Sequence, residues 1–407
     1  MIHGWETPLK LLRLEMKQKK YEGCLVPNTL TAAVEATNEN TPPAKIEALY
    51  RDLTELKPSS SFGYTQPYNL ELIKKNQPES NVKCRLELDT EQLKQRFYTA
   101  WQGRCCGCSL GKPVEVLGMS GWGNLNGRQA IKKYLQKKKA WPLREYFPAP
   151  AAEDNIRPVQ FPLSCRENIH YIEADDDIHY TLIGLKVMEE KGFDFKWYDI
   201  AQLWSDSLPY NMICTAETQA FLNFNMHRPR IDIDPEHSYP DPGFTSSNYN
   251  PYREWIGAQI RADFFGYAAA GDPDLAAELA WQDARWTHRG NGIYGAMFMA
   301  AAIAAAFTNP DPEFIIRAGL SRIPARCKLS EAVNQALTWQ RQYKNPEEFM
   351  AQVEKNYSNL SPVHTINNAL IVVMALLYAP YDFNAAVCTA VMAGLDTDCN
   401  GATAGSI

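Results

Sequence analysis

Two segments, NGIYGAMFMAAAIAAAF (291–307) and INNALIVVMALLYA (366–379), are apolar on almost every face of a helix. A helix with no polar stripe has to be surrounded by protein, so each predicts an interior helix with others packed around it. Both fall short of the roughly 18 apolar residues that a membrane span needs. Alternating runs of β-branched residues, the mark of half-buried strands, are scarce. The chain therefore reads as nearly all-α. At 407 residues it is long enough to bury a large core.

Residues 1–90 read as an accessory N-terminal helical arm. PLKLLRLEMKQKK and PPAKIEALYRDLTEL have helical spacing, and linkers such as NENTPP and KPSSSFGYTQP separate them. The arm packs on, or swings from, a main body at 91–407. That body opens with a helix capped by Asp89 or Thr90, which runs through Gly103, Gly107 and Gly111. Glycines four apart share one helical face and permit close backbone approach, so this helix should be central. Asp272 and Pro273 mark another helix start. Two irregular, proline-bearing inserts stand at 140–168 and 227–255.

The formal net charge of −6 argues against a stable nucleic-acid partner. The one basic run, RQAIKKYLQKKKA (128–140), reads as a solvated face. Ten irregularly spaced cysteines are too sparse for a disulfide scaffold, and Cys105 and Cys108 form a lone C-x-x-C that reads as small buried thiols. The N-terminus lacks the apolar core of a signal peptide. These features imply a reduced, cytoplasmic protein with no membrane segment.

Two acidic clusters remain. EADDDIHYTLIGL (173–185) places Asp175, Asp176 and Asp177 in a row at a helix start, where the helix dipole favours acids. GLDTDCNGATAGSI (394–407) sets Asp396 and Asp398 among glycines and small residues, which implies tight packing around charge. Buried carboxylates that stay ionised need hydrogen bonds or metal. Oxygen donors without histidine suit a hard cation such as Mg²⁺ or Mn²⁺. Five carboxylates exceed what one such ion takes, so two ions are the natural count.

Together with GRCCGCSLGKPVE (103–115), and with IGAQIRADFFG and ARWTH between them in order, these clusters resemble the ADP-ribosylglycohydrolases, in the branch related to dinitrogenase reductase-activating glycohydrolase. The likeness runs from about 93 to 407. It implies a compact, all-α orthogonal helical bundle with a binuclear Mg²⁺ or Mn²⁺ cleft. Carried over by position, Asp175, Asp176, Asp177, Asp396 and Asp398 would hold the metals. Cys399 stands where that family usually has a ligand Thr, and Ile178 where another Thr follows the first acids. Glu115 matches the glutamate near the ribose. Gly257 and Arg261 match the segment bordering the diphosphate, where Arg261 could equally be an ion-pair partner. His288 matches a histidine near the adenosine end, and Asn291 and Gly292 open a helix whose N–H groups suit a phosphate. Phe264, Phe265 and Tyr294 either stack on adenine or belong to the core. Further helix usually follows the second acidic motif in that family, whereas the sequence here ends at Ile407.

The resemblance implies hydrolysis of the glycosidic bond between ADP-ribose and a modified acceptor, protein or small molecule. Glu115, Asp177 and Asp398 are the catalytic candidates. Two alternatives stay open: a hydrolase of small ADP-ribosyl or nucleoside-like N-glycosides, and a catalytically silent ADP-ribose-binding or structural member.

Overall fold

In a computed structural model of the chain, residues 4–151, 160–173, 175–227, 239 and 241–407 are described. Parts of the two inserts, 152–159, 228–238 and 240, lie outside them, as does Ala174 of the first acidic cluster. Among the described residues every regular element is a helix, and β structure is confined to three isolated bridges. The all-α expectation holds.

The two apolar segments form the centre. In helix Asn291–Ala306 every residue from Asn291 to Ala305 is buried, and in helix Thr365–Tyr378 so is every residue from Thr365 to Leu376. Helix Pro273–Ala284 lies along the first of these. It begins with the Asp272 side chain accepting a bond from the Leu275 N–H at 3.0 Å and with Pro273 in the first turn, where no N–H is missed.

A backbone seam organises the site. Helix Thr90–Gly111, which we call the leading helix, is capped by Asp89 in a reciprocal box with Gln92. It runs antiparallel to the terminal helix Thr397–Ser406. A Cβ added at Gly103 would stand 2.0 Å from the carbonyl oxygen of Gly405, one at Gly107 2.0 Å from that of Gly401, and one at Gly111 2.2 Å from that of Thr397. Only glycine lets two helices touch this closely. The Thr397 hydroxyl donates to the Gly111 carbonyl at 2.8 Å and closes the top of the seam. All ten residues of the terminal helix are buried, and Ser406 at its far end bonds the Asp263 carboxylate.

The N-terminal arm packs on this body. Helices Pro8–Tyr21, Asn28–Glu35 and Pro43–Thr54 share a small core of Leu12, Met16, Val34, Ile46, Leu49, Tyr50 and Leu53. Arg253 of the main body forks onto Glu15, with bonds of 2.8 and 2.9 Å, and its Nε reaches Glu22 at 2.7 Å. The following segment is laid onto the body by backbone bonds, Thr65 N–H to Arg326 O at 2.9 Å and Ala325 N–H to Asn76 O at 2.8 Å.

Candidate active site

The seam delivers the site's first half. Where the leading helix ends at Gly111, the chain makes one 3₁₀ turn, Lys112–Val114, and enters a short helix at Glu115. Opposite it, Gly394 and Leu395 both take positive φ, +79° and +58°, immediately before Asp396. That backbone is strained at Leu395, at a cost of order 1 kcal/mol or more. It is held by the Leu395 N–H bond to Gly118 O at 3.1 Å, and the Asp396 N–H donates to Asn368 Oδ1 at 3.3 Å. Asn368 also accepts from Asn400 Nδ2 at 2.8 Å, so one amide fixes both ends of the terminal acidic turn.

The second half comes from helix Asp176–Lys191. Asp175 is its N-cap and accepts from the Ile178 N–H at 3.4 Å. Arg104 of the leading helix, fully buried, ties this helix start to the body. Its guanidinium donates to the Asp177 carbonyl at 2.7 Å and the Asp263 carboxylate at 2.6 Å, contacts Asp177 Oδ1 at 3.4 Å, and bonds the Ile260 carbonyl. Lys112 stands 3.0 Å from Asp175 Oδ2.

Three overlapping groups of donors result: Cys108, Asp175 and Asp177; Asp177, Asp398 and Cys399; and Glu115, Asp396 and Asp398, each with ligand atoms within 4.8 Å of one another. Segments 222 positions apart in sequence thus converge on one cluster. Cys108 donates its thiol to Asp175 Oδ2 at 3.1 Å and Cys399 to Asp177 Oδ2 at 3.2 Å. Asp396 Oδ1 and Asp398 Oδ1 are buried with no hydrogen-bond partner. A buried carboxylate oxygen without a donor is costly unless a proton or a cation meets it. These residues therefore fit metal ions and could hold them.

Crowding shows in the titration. The Asp398 charge, then burial, then Asp176 and Asp175 push the Glu115 carboxyl up to about 9. Burial first, with Asp175 and Asp176 behind it, pushes Asp398 up to about 7. Burial and then Asp175 raise Asp176 to about 6. Burial, reinforced by Asp398, holds Asp177 and Asp396 well above the usual carboxylate range. Without cations the cluster keeps protons at neutral pH; cations would replace them.

Asp176 and the remaining sequence candidates belong to none of the three donor groups. Arg261 is fully buried: it pairs with Glu217 at 2.5 Å and Asp283 at 2.6 Å, donates to the Thr287 hydroxyl at 2.8 Å, and lies 4.9 Å over the Trp204 ring. Of its two readings, the ion-pair one describes this geometry. The Gly257 carbonyl accepts from Arg261 at 3.0 Å, and a Cβ at Gly257 would strike Glu217. His288 is buried beside Thr287, its Nδ1 2.7 Å from the hydroxyl, and burial followed by the nearby Arg261 drives its pKa well below the usual value. The expectation of free N–H groups at Asn291 and Gly292 needs correction. The Asn291 N–H and side-chain amide donate to Glu254 Oε1 at 3.1 and 3.3 Å, and the Gly292 N–H to Arg289 O at 2.9 Å. The anion at this helix start is the protein's own glutamate. Phe264, Phe265 and Tyr294 are core residues.

Sequence reading missed Arg104, Lys112, Cys108 and Asn368. A charged residue directly after a glycine of the 103/107/111 row, as Arg104 and Lys112 are, was the available signal for the first two. Asn368 carried none.

Among known proteins, the family model for ADP-ribosylglycohydrolase matches residues 89–407. A solved structure described as an "ADP-ribosylglycohydrolase-related protein complex" is similar at 17% identity and a TM-score of 0.46, covering 78% of this chain and 87% of that one. No match was found among curated proteins.

Proposed function

This chain belongs to the ADP-ribosylglycohydrolase family, and from that membership we propose that it is a metal-dependent hydrolase of the glycosidic bond between ADP-ribose and a modified acceptor. The family supports hydrolysis of ADP-ribosyl linkages in general; the metal and the acceptor are our reading. One observation carries it: Glu115 stands against Asp396 and Asp398, whose buried Oδ1 atoms have no partner, and Asp398 is shared with the group that holds Asp177. The motif spacing from Gly103 to Ile407 supports placement in the branch related to dinitrogenase reductase-activating glycohydrolase.

In this reading Asp175, Asp176, Asp177, Asp396 and Asp398 hold two divalent ions, Mg²⁺ or Mn²⁺, which supply Lewis acidity and an activated water when bound. Glu115 is half-buried, as are Asp175 and Asp176, whereas Asp177, Asp396 and Asp398 are buried, so it can face substrate from the edge of the cluster. The Asp398 charge is the largest reason that Glu115 holds a proton, so neutralising Asp398 frees Glu115 to ionise. An ionised Glu115 takes the proton of the attacking water, and the surrounding carboxylates stabilise positive charge at the anomeric carbon. Asp177 and Asp398 position and share protons in this scheme. Protein-linked and small-molecule ADP-ribosides are both admissible acceptors.

All ten cysteines are free thiols, which supports a reducing, cytoplasmic setting, and no helix among the described residues is long and apolar enough to cross a membrane. The test is release of ADP-ribose from ADP-ribosylated arginine, serine and a small N-riboside, with Mg²⁺ and after chelation, in wild type and Glu115→Gln. Metal-dependent release, reduced roughly 10²–10⁴-fold in the variant, is expected. Wild-type binding of ADP-ribose with no turnover of any substrate would leave a silent binder.

A further inference from the structure

The three donor groups at the acidic centre differ in kind. The group of Cys108, Asp175 and Asp177 already holds a cation of the protein's own, because the Lys112 ammonium stands 3.0 Å from Asp175 Oδ2. The remaining two groups share Asp398. One of them, Glu115 with Asp396 and Asp398, offers only oxygen. The other, Asp177 with Asp398 and Cys399, adds a sulfur atom. Asp177 Oδ1 faces Arg104 at 3.4 Å, and its Oδ2 takes the Cys399 thiol at 3.2 Å, so sulfur and oxygen are already side by side. Asp398 Oδ1, buried and unpartnered, completes the set.

We propose that the two metal sites of this centre are chemically unequal: the site at Asp396 and Asp398, beside Glu115, takes a hard divalent cation, and the group of Asp177, Asp398 and Cys399 takes a thiophilic one of the zinc or cobalt class through the Cys399 sulfur. This rests on the reading of the acidic cluster as a metal centre and assigns its selectivity. Oxygen-only donors favour Mg²⁺ or Mn²⁺, whereas a thiolate among carboxylates favours Zn²⁺ or Co²⁺ at the same coordination number. Binding balances as Cys399–SH plus M²⁺ giving Cys399–S–M⁺ plus one proton lost to solvent, with any proton held by the Asp177 and Asp398 carboxylates displaced alongside it.

The test is anaerobic titration of Co²⁺ alone into the metal-free full chain, read by near-ultraviolet absorption and by proton release in weak buffer. A thiolate-to-cobalt charge-transfer band is expected together with proton release, and Cys399→Ser should release about one proton fewer per ion. Cys399→Ser should abolish the band and weaken Co²⁺ by more than the roughly 10–100-fold that loss of a merely supporting partner costs. Mn²⁺ binding, followed by calorimetry, should survive in the variant, and Cys108→Ser should keep the band. If Cys399→Ser does not fold, Cys399→Thr replaces it. Co²⁺ binding without the band, or a band that survives loss of Cys399, overturns this assignment and leaves the metal-dependent hydrolase standing. Absence of binding by Co²⁺, Mn²⁺ and Mg²⁺ alike overturns both.

Discussion

Gly107 and Gly401 meet backbone to backbone: a Cβ on Gly107 would stand 2.0 Å from the Gly401 carbonyl oxygen, and one on Gly401 2.5 Å from that of Gly107. The seam they form holds Glu115, just past one helix end, against Asp396 and Asp398 at the start of the other. Substituting Gly107→Ala forces the helices apart, because the obstacle is main chain and cannot swing away. A cost of about 1–3 kcal/mol is expected. Mn²⁺ affinity should fall with the melting temperature, since Glu115 follows one of the separated helices while Asp396 and Asp398 begin the other. Gly63→Ala, whose Cβ meets nothing within 4 Å, is the control. Denaturant melts and calorimetry on both variants decide it; an unchanged Gly107→Ala midpoint would remove the seam from the argument.

Metal removal should make stability fall as pH rises. Glu115, Asp398 and Asp176 have folded values of about 9, 7 and 6, against roughly 4 in an unfolded chain. A group whose folded pKa is raised contributes stability that is complete below its unfolded value and is lost as pH climbs through the folded one. The metal-free protein should therefore lose stability progressively from about pH 4 to pH 9 on account of this cluster. Bound cations take over the neutralising role, so the loaded protein should show a flatter profile. Melting temperatures between pH 5 and 9, with chelator and with Mn²⁺, give the comparison. Parallel profiles would mean that no cation enters the cluster.

Arg261 should behave as a structural residue. Its guanidinium is the partner of two carboxylates, Glu217 and Asp283, each 1% exposed. Arg261→Ala leaves both uncompensated, and breaking a buried pair costs roughly 3–5 kcal/mol. Arg261→Lys keeps the charge and loses the fork, with an intermediate loss. ADP-ribose affinity of the folded Lys variant should match wild type by calorimetry. A wild-type melting temperature with lost ADP-ribose binding would instead return Arg261 to the diphosphate.

The legible parts of this molecule were those in which chemistry and period coincide in one stretch. The two segments apolar all round could only be interior helices, and Asp272 with Pro273 could only be a helix start. Glycines at 103, 107 and 111 announced a close approach, yet not its partner, because Gly401 and Gly405 read as ordinary small residues until the helices are paired. The site was less legible for the same reason. Asp175–Asp177 and Asp396/Asp398 stand out as charge in apolar company, whereas Asn368 looks like any buried amide. Asn291 and Gly292 show the converse. A helix start suits an anion, but the sequence does not say that Glu254, distant along the chain, is the anion that fills it.

The N-terminal arm should come loose through Arg253. That side chain satisfies Glu15, which is 1% exposed and also accepts the Tyr50 hydroxyl at 3.2 Å, and Glu22 at the C-terminal cap of the same helix. Arg253→Ala leaves the buried Glu15 without a cation, so the contact between arm and body becomes unfavourable by roughly 3–5 kcal/mol. Arg253→Met with Glu15→Gln removes both charges while keeping most of the volume, and should cost less, because the penalty lies in the stranded charge. Limited proteolysis distinguishes the cases. Cleavage in the Pro- and Ser-bearing linker near 57–61 should accelerate in Arg253→Ala and stay near wild type in the double variant. The acidic centre is built from residues 104–115, 175–177 and 396–399, so Mn²⁺ affinity of the undigested Arg253→Ala protein should be retained. Loss of Mn²⁺ binding alongside faster cleavage would show that the arm supports the site as well as the fold.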